Sequence, residues 1–291
     1  MKDCVLLGAW IPNSNRIIKY IEVLQIYYAD CDIYVGINPS SFQQEFITAL
    51  VNSGLNVLYE IVGTHLVIPQ HASANQVALR LYKESKIQYS VVHFLHTKGI
   101  SYDDLHHQRA FDDYYLAHAK ARTKISDILE CNKHIGSYNL YGMIQPQWYC
   151  KVGYDSMDIP RPTIGTNFSM AQSVADSNDE NEVHPYFDLA PYYDFKYSPL
   201  RTQSLIAIYA IKDHIVREFV DNCSPEVFER NVYDLGYDMY FFETHFPQIV
   251  SRMGYLPYIE TIWNLGNYGT KDTEIHMINL WKEENNLNLI P

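Results

Sequence analysis

His96-Thr97-Lys98-Gly99 is the place where this chain could first do chemistry. The segment ends the apolar run Val91-Val92-His93-Phe94-Leu95 and leads into Ile100-Ser101-Tyr102-Asp103-Asp104. An imidazole, an ammonium and two carboxylates this close together suit a phosphorylated ligand, a metal ion, or both. A short apolar run bounded by a turn signal reads as a buried strand. In open α/β sheets, ligands bind just beyond the carboxyl ends of such strands. The competing reading is a strand-to-helix loop whose polar groups face water.

The elements that must position these residues alternate strand and helix. Cys4 to Ala9 reads as a strand, and Asn15 is expected to cap a helix on which Ile17, Ile18, Ile21, Leu24 and Tyr28 recur at helical spacing. Asp32 to Ile37 reads as a second strand. Pro39-Ser40 opens a helix through Leu50, which Asn52-Ser53-Gly54 ends. Leu55 to Val62 reads as a third strand and Ala74 to Ser85 as a helix leading to the fourth. Four strand–helix units in a row imply an α/β fold with a central, mainly parallel sheet flanked by helices.

Residues 103–133 read as a long polar helix with an aromatic stripe of Phe111, Tyr114, Tyr115 and His118. His106, His107, Asp112 and Asp113 invite a metal assignment. Adjacent histidines, however, point about 100° apart around a helix and do not readily chelate one ion. A solvated face is the expectation there. Short strand-like segments return at 136–143. Residues 151–200, with Ile159-Pro160-Arg161-Pro162 and the acidic run from Asp176 to Glu182, read as a mobile surface loop. Leu200 to Ile211 reads as one buried strand, Ser224-Pro225-Glu226 as a helix start, and Tyr237 to Phe246 as the opening of another helix.

Composition narrows the function classes. At 47% hydrophobic and 19% charged, 291 residues can bury a substantial core. A net charge of −12 speaks against nucleic acid as a partner, since phosphate-backbone binding relies on clustered Lys and Arg. No apolar stretch approaches the ~20 residues of a transmembrane helix. Met1-Lys2-Asp3-Cys4 runs straight into a strand pattern, without a leader-like segment. The five cysteines are scattered and contain no CxxC pair, which argues against a disulfide framework or a zinc site. A soluble, cytoplasmic protein is expected. The 25 tyrosines suit carbohydrate or nucleotide faces, but they also fill cores.

Several nucleotide signatures are absent from the sequence: there is no GxxxxGK[ST] loop, no GxSxG elbow, and Gly8 stands alone where a GxGxxG fingerprint would lie. What remains resembles the small glycosyltransferases of the GT-A type, in the subset whose fourth strand ends in His-Thr-Lys-Gly or His-Ser-Lys-Gly. Such proteins occur in bacterial and large-virus glycan gene clusters. Three segments carry the likeness: Phe94 to Ser101, Ser204 to Lys212, and Tyr240-Phe241-Phe242-Glu243-Thr244-His245-Phe246-Pro247. The chain departs from the class at Thr244, where an Arg is expected after the glutamate. It also lacks an Asp-x-Asp at the end of the fourth strand.

The resemblance implies one GT-A-like domain over 1–291, with a donor-binding half at 1–105 and an acceptor half at 135–260. It implies transfer of a sugar from a nucleotide-diphosphate donor, UDP- or GDP-type, to a glycan acceptor hydroxyl, with inversion expected. Negative charge grows on the leaving diphosphate, and Lys98 is the cation to meet it. His96 would bond phosphate or hold a metal, and Gly99 would let the backbone approach. Ala9 and Trp10 would meet the base, Glu60 the ribose or uracil, and Asn75 and Arg80 would lie across the donor pocket. A divalent Mn²⁺ or Mg²⁺ would sit on His96, Asp103 and Asp104. Acidic residues at a helix start are also favoured by the macrodipole alone. Glu243, among aromatics that raise a carboxyl pKa by desolvation, is the candidate general base. Its competing reading is an ion-paired glutamate at a helix start.

Two rivals stand beside this reading. A sugar-nucleotide pyrophosphorylase needs a Gly-rich loop after its first strand, and Trp10-Ile11-Pro12-Asn13 is unlike one. A non-catalytic carbohydrate- or nucleotide-sugar-binding protein on the same fold stays open.

Overall fold

The computed structural model describes residues 1–65, 72–97, 100, 107–108, 110–146, 200–204, 207–222, 228, 242, 250, 253 and 255–262. The first strands form because their sequences are unbroken apolar runs that only a two-sided core can satisfy. β1 (Cys4–Trp10), β2 (Asp32–Asn38) and β4 (Val91–His96) are buried almost throughout. β3 (Asn56–Ile61), with Leu58, Tyr59 and Ile61 exposed, takes the edge. These four strands run parallel in the order β3-β2-β1-β4. The sheet continues through β7 (Tyr209–Lys212), β5 (Ile135–Pro146) and β6 (Leu200–Ser204), and β8 (Leu256–Ile262) pairs parallel with β5. The result is a mixed, mostly parallel sheet flanked by helices, as the alternating pattern implied.

Side-chain alternation along the parallel strands builds a core on each face of the sheet. Val5, Leu7, Ala9, Ile33, Val35, Ile37 and Leu95 pack with α1 (Ile17–Tyr27) and α2 (Gln43–Asn52) on one face. Leu6, Tyr34, Val92 and Phe94 pack on the other with α3 (Ala72–Ser85) and the helix Asp213–Asn222. After β1 the chain turns towards β2. After β3 it returns past β1 to β4 through α3, on the opposite face. The strand order therefore reverses between β1 and β4, and the carboxyl ends of strands at such a switch point are where open α/β sheets bind ligands.

Several expectations are corrected. The cap before α1 is Asn13, whose side chain accepts from the Asn15 amide at a 3₁₀ turn, Ser14–Arg16. Ile18 lies on the solvent side of α1 and is 58% exposed. The long polar helix resolves into a π-helical turn, Phe111–Leu116, followed by α4 (Ala117–Lys120) and α5 (Arg122–Cys131). Asp112 and Asp113 are exposed as expected, but His107 is buried between Tyr20 and Phe111 and is no part of a solvated face. The segments at 136–143 are one continuous strand, β5.

Leu200 to Ile211 is not one strand. It breaks near Ala207, which sits at φ +47°, giving the separate strands β6 and β7. A helix absent from the sequence reading, α6 (Asp213–Asn222), follows β7 directly. Of the loop expected at 151–200 only Leu200 is described, and it belongs to β6; the helix start at 224–226 and, apart from Phe242, the segment 237–246 lie outside the described residues. No helix among the described residues is long and apolar enough to cross a membrane.

Candidate functional site

The carboxyl ends of the parallel strands are brought together by register. Gly8 lies opposite both Gly36 and His96, and Trp10 lies opposite Asn38. The first turn of α3 descends onto this point. A Cβ on Gly36 would overlap the Ala74 carbonyl oxygen and sit 2.7 Å from its carbon. A Cβ on Gly8 would meet the Asn75 side chain, 2.8 Å from Cγ. Both glycines are required by this close approach, which brings the helix start, with its positive dipole end, down to the carboxyl ends of β1 and β2. Sequence reading noted Gly8 only for the missing dinucleotide fingerprint and passed over Gly36. The signal that marks them is a glycine in the middle of an otherwise fully apolar strand.

The His-Thr-Lys-Gly segment is knitted to β1 through its threonine. The Thr97 amide donates to the Gly8 carbonyl at 3.1 Å. The Thr97 hydroxyl accepts from the Trp10 amide and donates to the Trp10 carbonyl, both at 3.1 Å. Thr97 thus satisfies the last backbone groups of β1, a role the sequence did not reveal. On the other side, the Ile11 amide donates to Ser40 Oγ at 3.2 Å, and the Phe42 amide donates to the Ile11 carbonyl at 3.2 Å. Trp10 emerges half-buried between these two clasps.

Of the residues expected to meet a donor, His96, Asn75 and Trp10 gather around Gly8 and the strand ends. His96 and Asn75 are nearly buried. Ala9 is wholly buried in the core beside α1, so its methyl group only shapes the floor. Glu60 and Arg80 are engaged with each other. Arg80 Nη2 lies 2.5 Å from Glu60 Oε2, and Nη1 lies 3.0 Å from Glu84 Oε1. Burial works against the Arg80 charge, but these two carboxylates outweigh it and raise its pKa. The pair braces α3 against the edge strand. Lys98, Gly99, Asp103, Asp104 and Glu243 lie outside the described residues. Phe242, just before Glu243, is buried, and its carbonyl accepts from the Tyr209 hydroxyl at 3.0 Å. The Tyr209 ring in turn stacks on Phe94 of β4, with centroids 4.8 Å apart.

Of the expected metal ligands, His96 alone is described, and it is 3% exposed. No three His, Cys, Asp or Glu side chains gather as a metal cluster among the described residues.

Two polar clusters lie elsewhere. Beneath α4, His93 and His118 face each other with Nδ1 and Nε2 3.2 Å apart, and His93 Nε2 lies 3.7 Å from Asp3 Oδ2. Burial lowers the pKa of both imidazoles, for His93 against the opposing pull of the Asp3 carboxylate. Burial disfavours the Asp3 charge as well, but the His93 ring and the Arg122 guanidinium outweigh it and keep the carboxyl below its ordinary range. At the opposite end of β4, a cavity of about 640 Å³ is lined by Tyr89, Lys212, Asp213, His214 and Arg217. Its polar groups serve the framework. Asp213 accepts from the Tyr82 hydroxyl at 2.5 Å, and Arg217 donates to the Lys83 and Ile87 carbonyls at the end of α3.

No family model matches the chain, and no curated protein matches it in sequence. Among solved structures, a match described as the crystal structure of a mycobacterial protein is 11% identical. It covers 99% of this chain and 75% of that one, with a TM-score of 0.38. A likeness this slight assigns no role to any residue.

Proposed function

We propose that the chain is a GT-A-like glycosyltransferase acting in the cytoplasm. It takes a sugar from a UDP- or GDP-type donor and passes it, with inversion, to a glycan acceptor hydroxyl. The observation that carries this reading is the reversal of strand order between β1 and β4. The half-buried Trp10, the clasped Thr97 and the α3 start, resting on Gly8 and Gly36, converge at the carboxyl ends of these strands. Switch points of this kind are where open α/β sheets bind nucleotides, and a helix start favours diphosphate charge.

In this reading Trp10 offers its indole face to the base, and Asn75 borders the diphosphate. Lys98, one residue past the clasped Thr97, supplies the positive charge that stabilises the leaving diphosphate more in the transition state than in the ground state. Glu243 removes the acceptor proton. Its chain neighbour Phe242 accepts from the Tyr209 hydroxyl, and Tyr209 stacks on Phe94 two residues before His96, which supports the reading. No step is routed through a metal.

A thermal-shift panel of UDP- and GDP-sugars tests the reading. A ligand at about 100 times its Kd stabilises the native state by about 2.7 kcal/mol, so a cognate donor raises the melting temperature by several degrees. A flat response across nucleotides and their sugars would remove the donor site.

A further inference from the structure

Arg16 occupies a position that helix stability does not explain. It closes the 3₁₀ turn before α1 and stands at the N-cap of that helix, where the positive dipole end disfavours a cation. It is also only 7% exposed, and burying a guanidinium costs free energy unless hydrogen bonds compensate. Its Nη1 donates to the Ile100 carbonyl at 2.8 Å, in a buried bond that spans 84 residues of sequence. Ile100 is itself buried, and its amide closes a turn onto the Thr97 carbonyl at 3.4 Å. One helical turn beyond Arg16, Tyr20 receives the rings of His107 and Phe111, with centroids at 6.1 and 5.1 Å. A single stripe of α1 therefore pins the chain both at Ile100 and again near His107.

We infer that Arg16 is a positioning residue for the His-Thr-Lys-Gly turn. It acts on the backbone at Ile100, while Thr97 is fixed to Trp10. The inference deepens the proposed transfer and rests on it for the role of Lys98. The fixing of the turn stands on the described contacts alone.

The test pairs native-state hydrogen exchange with donor hydrolysis in Arg16→Met and Arg16→Lys. Loss of a buried charge-assisted bond in Arg16→Met is expected to speed exchange in a peptide covering 97–101 by about tenfold or more, leaving β1 and β2 unchanged. The kcat for hydrolysis of a UDP- or GDP-sugar should fall by about tenfold while KM changes less, because the leaving-group cation is misplaced, not lost. Arg16→Lys, which keeps a donor, should recover part of both effects. Unchanged exchange at 97–101 in Arg16→Met, or equal acceleration in every peptide, would overturn the inference. Should the wild type hydrolyse no nucleotide sugar, the transfer reading falls, and the exchange result alone decides whether Arg16 holds the turn.

Discussion

Gly36→Ala should destabilise the protein more than Gly8→Ala, although both substitutions add one methyl group to neighbouring strands. At Gly36 the new Cβ meets backbone, overlapping the Ala74 carbonyl oxygen and lying 2.7 and 3.0 Å from Ala74 C and Cα. Ordinary van der Waals contact needs roughly 1 Å more, and a backbone obstacle yields only if the α3 start lifts off the sheet. Overpacking of this kind costs about 1–3 kcal/mol, offset by about 0.4–1 kcal/mol from the stiffer unfolded chain. A backbone obstacle this close belongs in the upper half of that range, so the net loss is about 1–2.6 kcal/mol, which for a chain this long lowers the melting temperature by roughly 2–10 °C. At Gly8 the obstacle is the Asn75 side chain, which can rotate away, leaving only the Asn75 amide nitrogen at 3.2 Å. Gly8→Ala is therefore milder, and Asn75→Ala in the same chain should recover part of its loss, a non-additive pair. Differential scanning calorimetry with urea titration measures all four proteins. Equal melting temperatures for wild type and Gly36→Ala would refute the claimed contact between the α3 start and the sheet.

Lys98→Ala should lower donor turnover by about 10²-fold or more without unfolding the protein, and a folded, fully active variant would return His-Thr-Lys-Gly to the status of a polar loop. Glu243→Gln keeps the shape but not the proton acceptor. Donor binding by calorimetry should persist while transfer falls by roughly 10²- to 10⁴-fold, and wild-type turnover would leave Glu243 structural. The buried His93–His118 pair sets a pH dependence. Both folded pKa values lie below the ordinary imidazole value of 6.5, so the unfolded chain takes up protons first as pH falls. Stability is complete above about pH 6.5 and is lost as pH drops below it towards the lowered folded values. The urea midpoint should fall from pH 7.5 to 5.5, less steeply in His118→Leu, and a flat profile would contradict the burial argument.

The first half of the fold was legible because three of its four strands are buried on both faces. Val5-Leu6-Leu7 and Val91-Val92 admit few alternatives, and the helices between them carry a clear apolar period. The sequence also drew attention to Thr97 and Gly8 without revealing their work. Thr97 reads as part of a motif, and only the register of β1 against β4 shows that its hydroxyl closes the end of β1. Arg16 was invisible because its partner, Ile100, is distant in sequence. The misreadings have local causes. The apolar run through Ile208 conceals a break that depends on one positive φ at Ala207, and strand β7 passes into α6 without an intervening turn signal. His107 looked solvated because its neighbours in sequence are polar, whereas its neighbours in space are Tyr20 and Phe111.

The central claim is sugar transfer from a nucleotide donor bound between β1 and β4. The measurement that tests it most directly is release of nucleoside diphosphate from the UDP- or GDP-sugar that stabilises the protein, with the wild type and Lys98→Ala run side by side. The expected result is slow diphosphate release by the wild type, at least about 10²-fold weaker in a folded Lys98→Ala. No release by the wild type from a donor that it demonstrably binds would contradict transfer and leave a nucleotide-sugar-binding protein in its place.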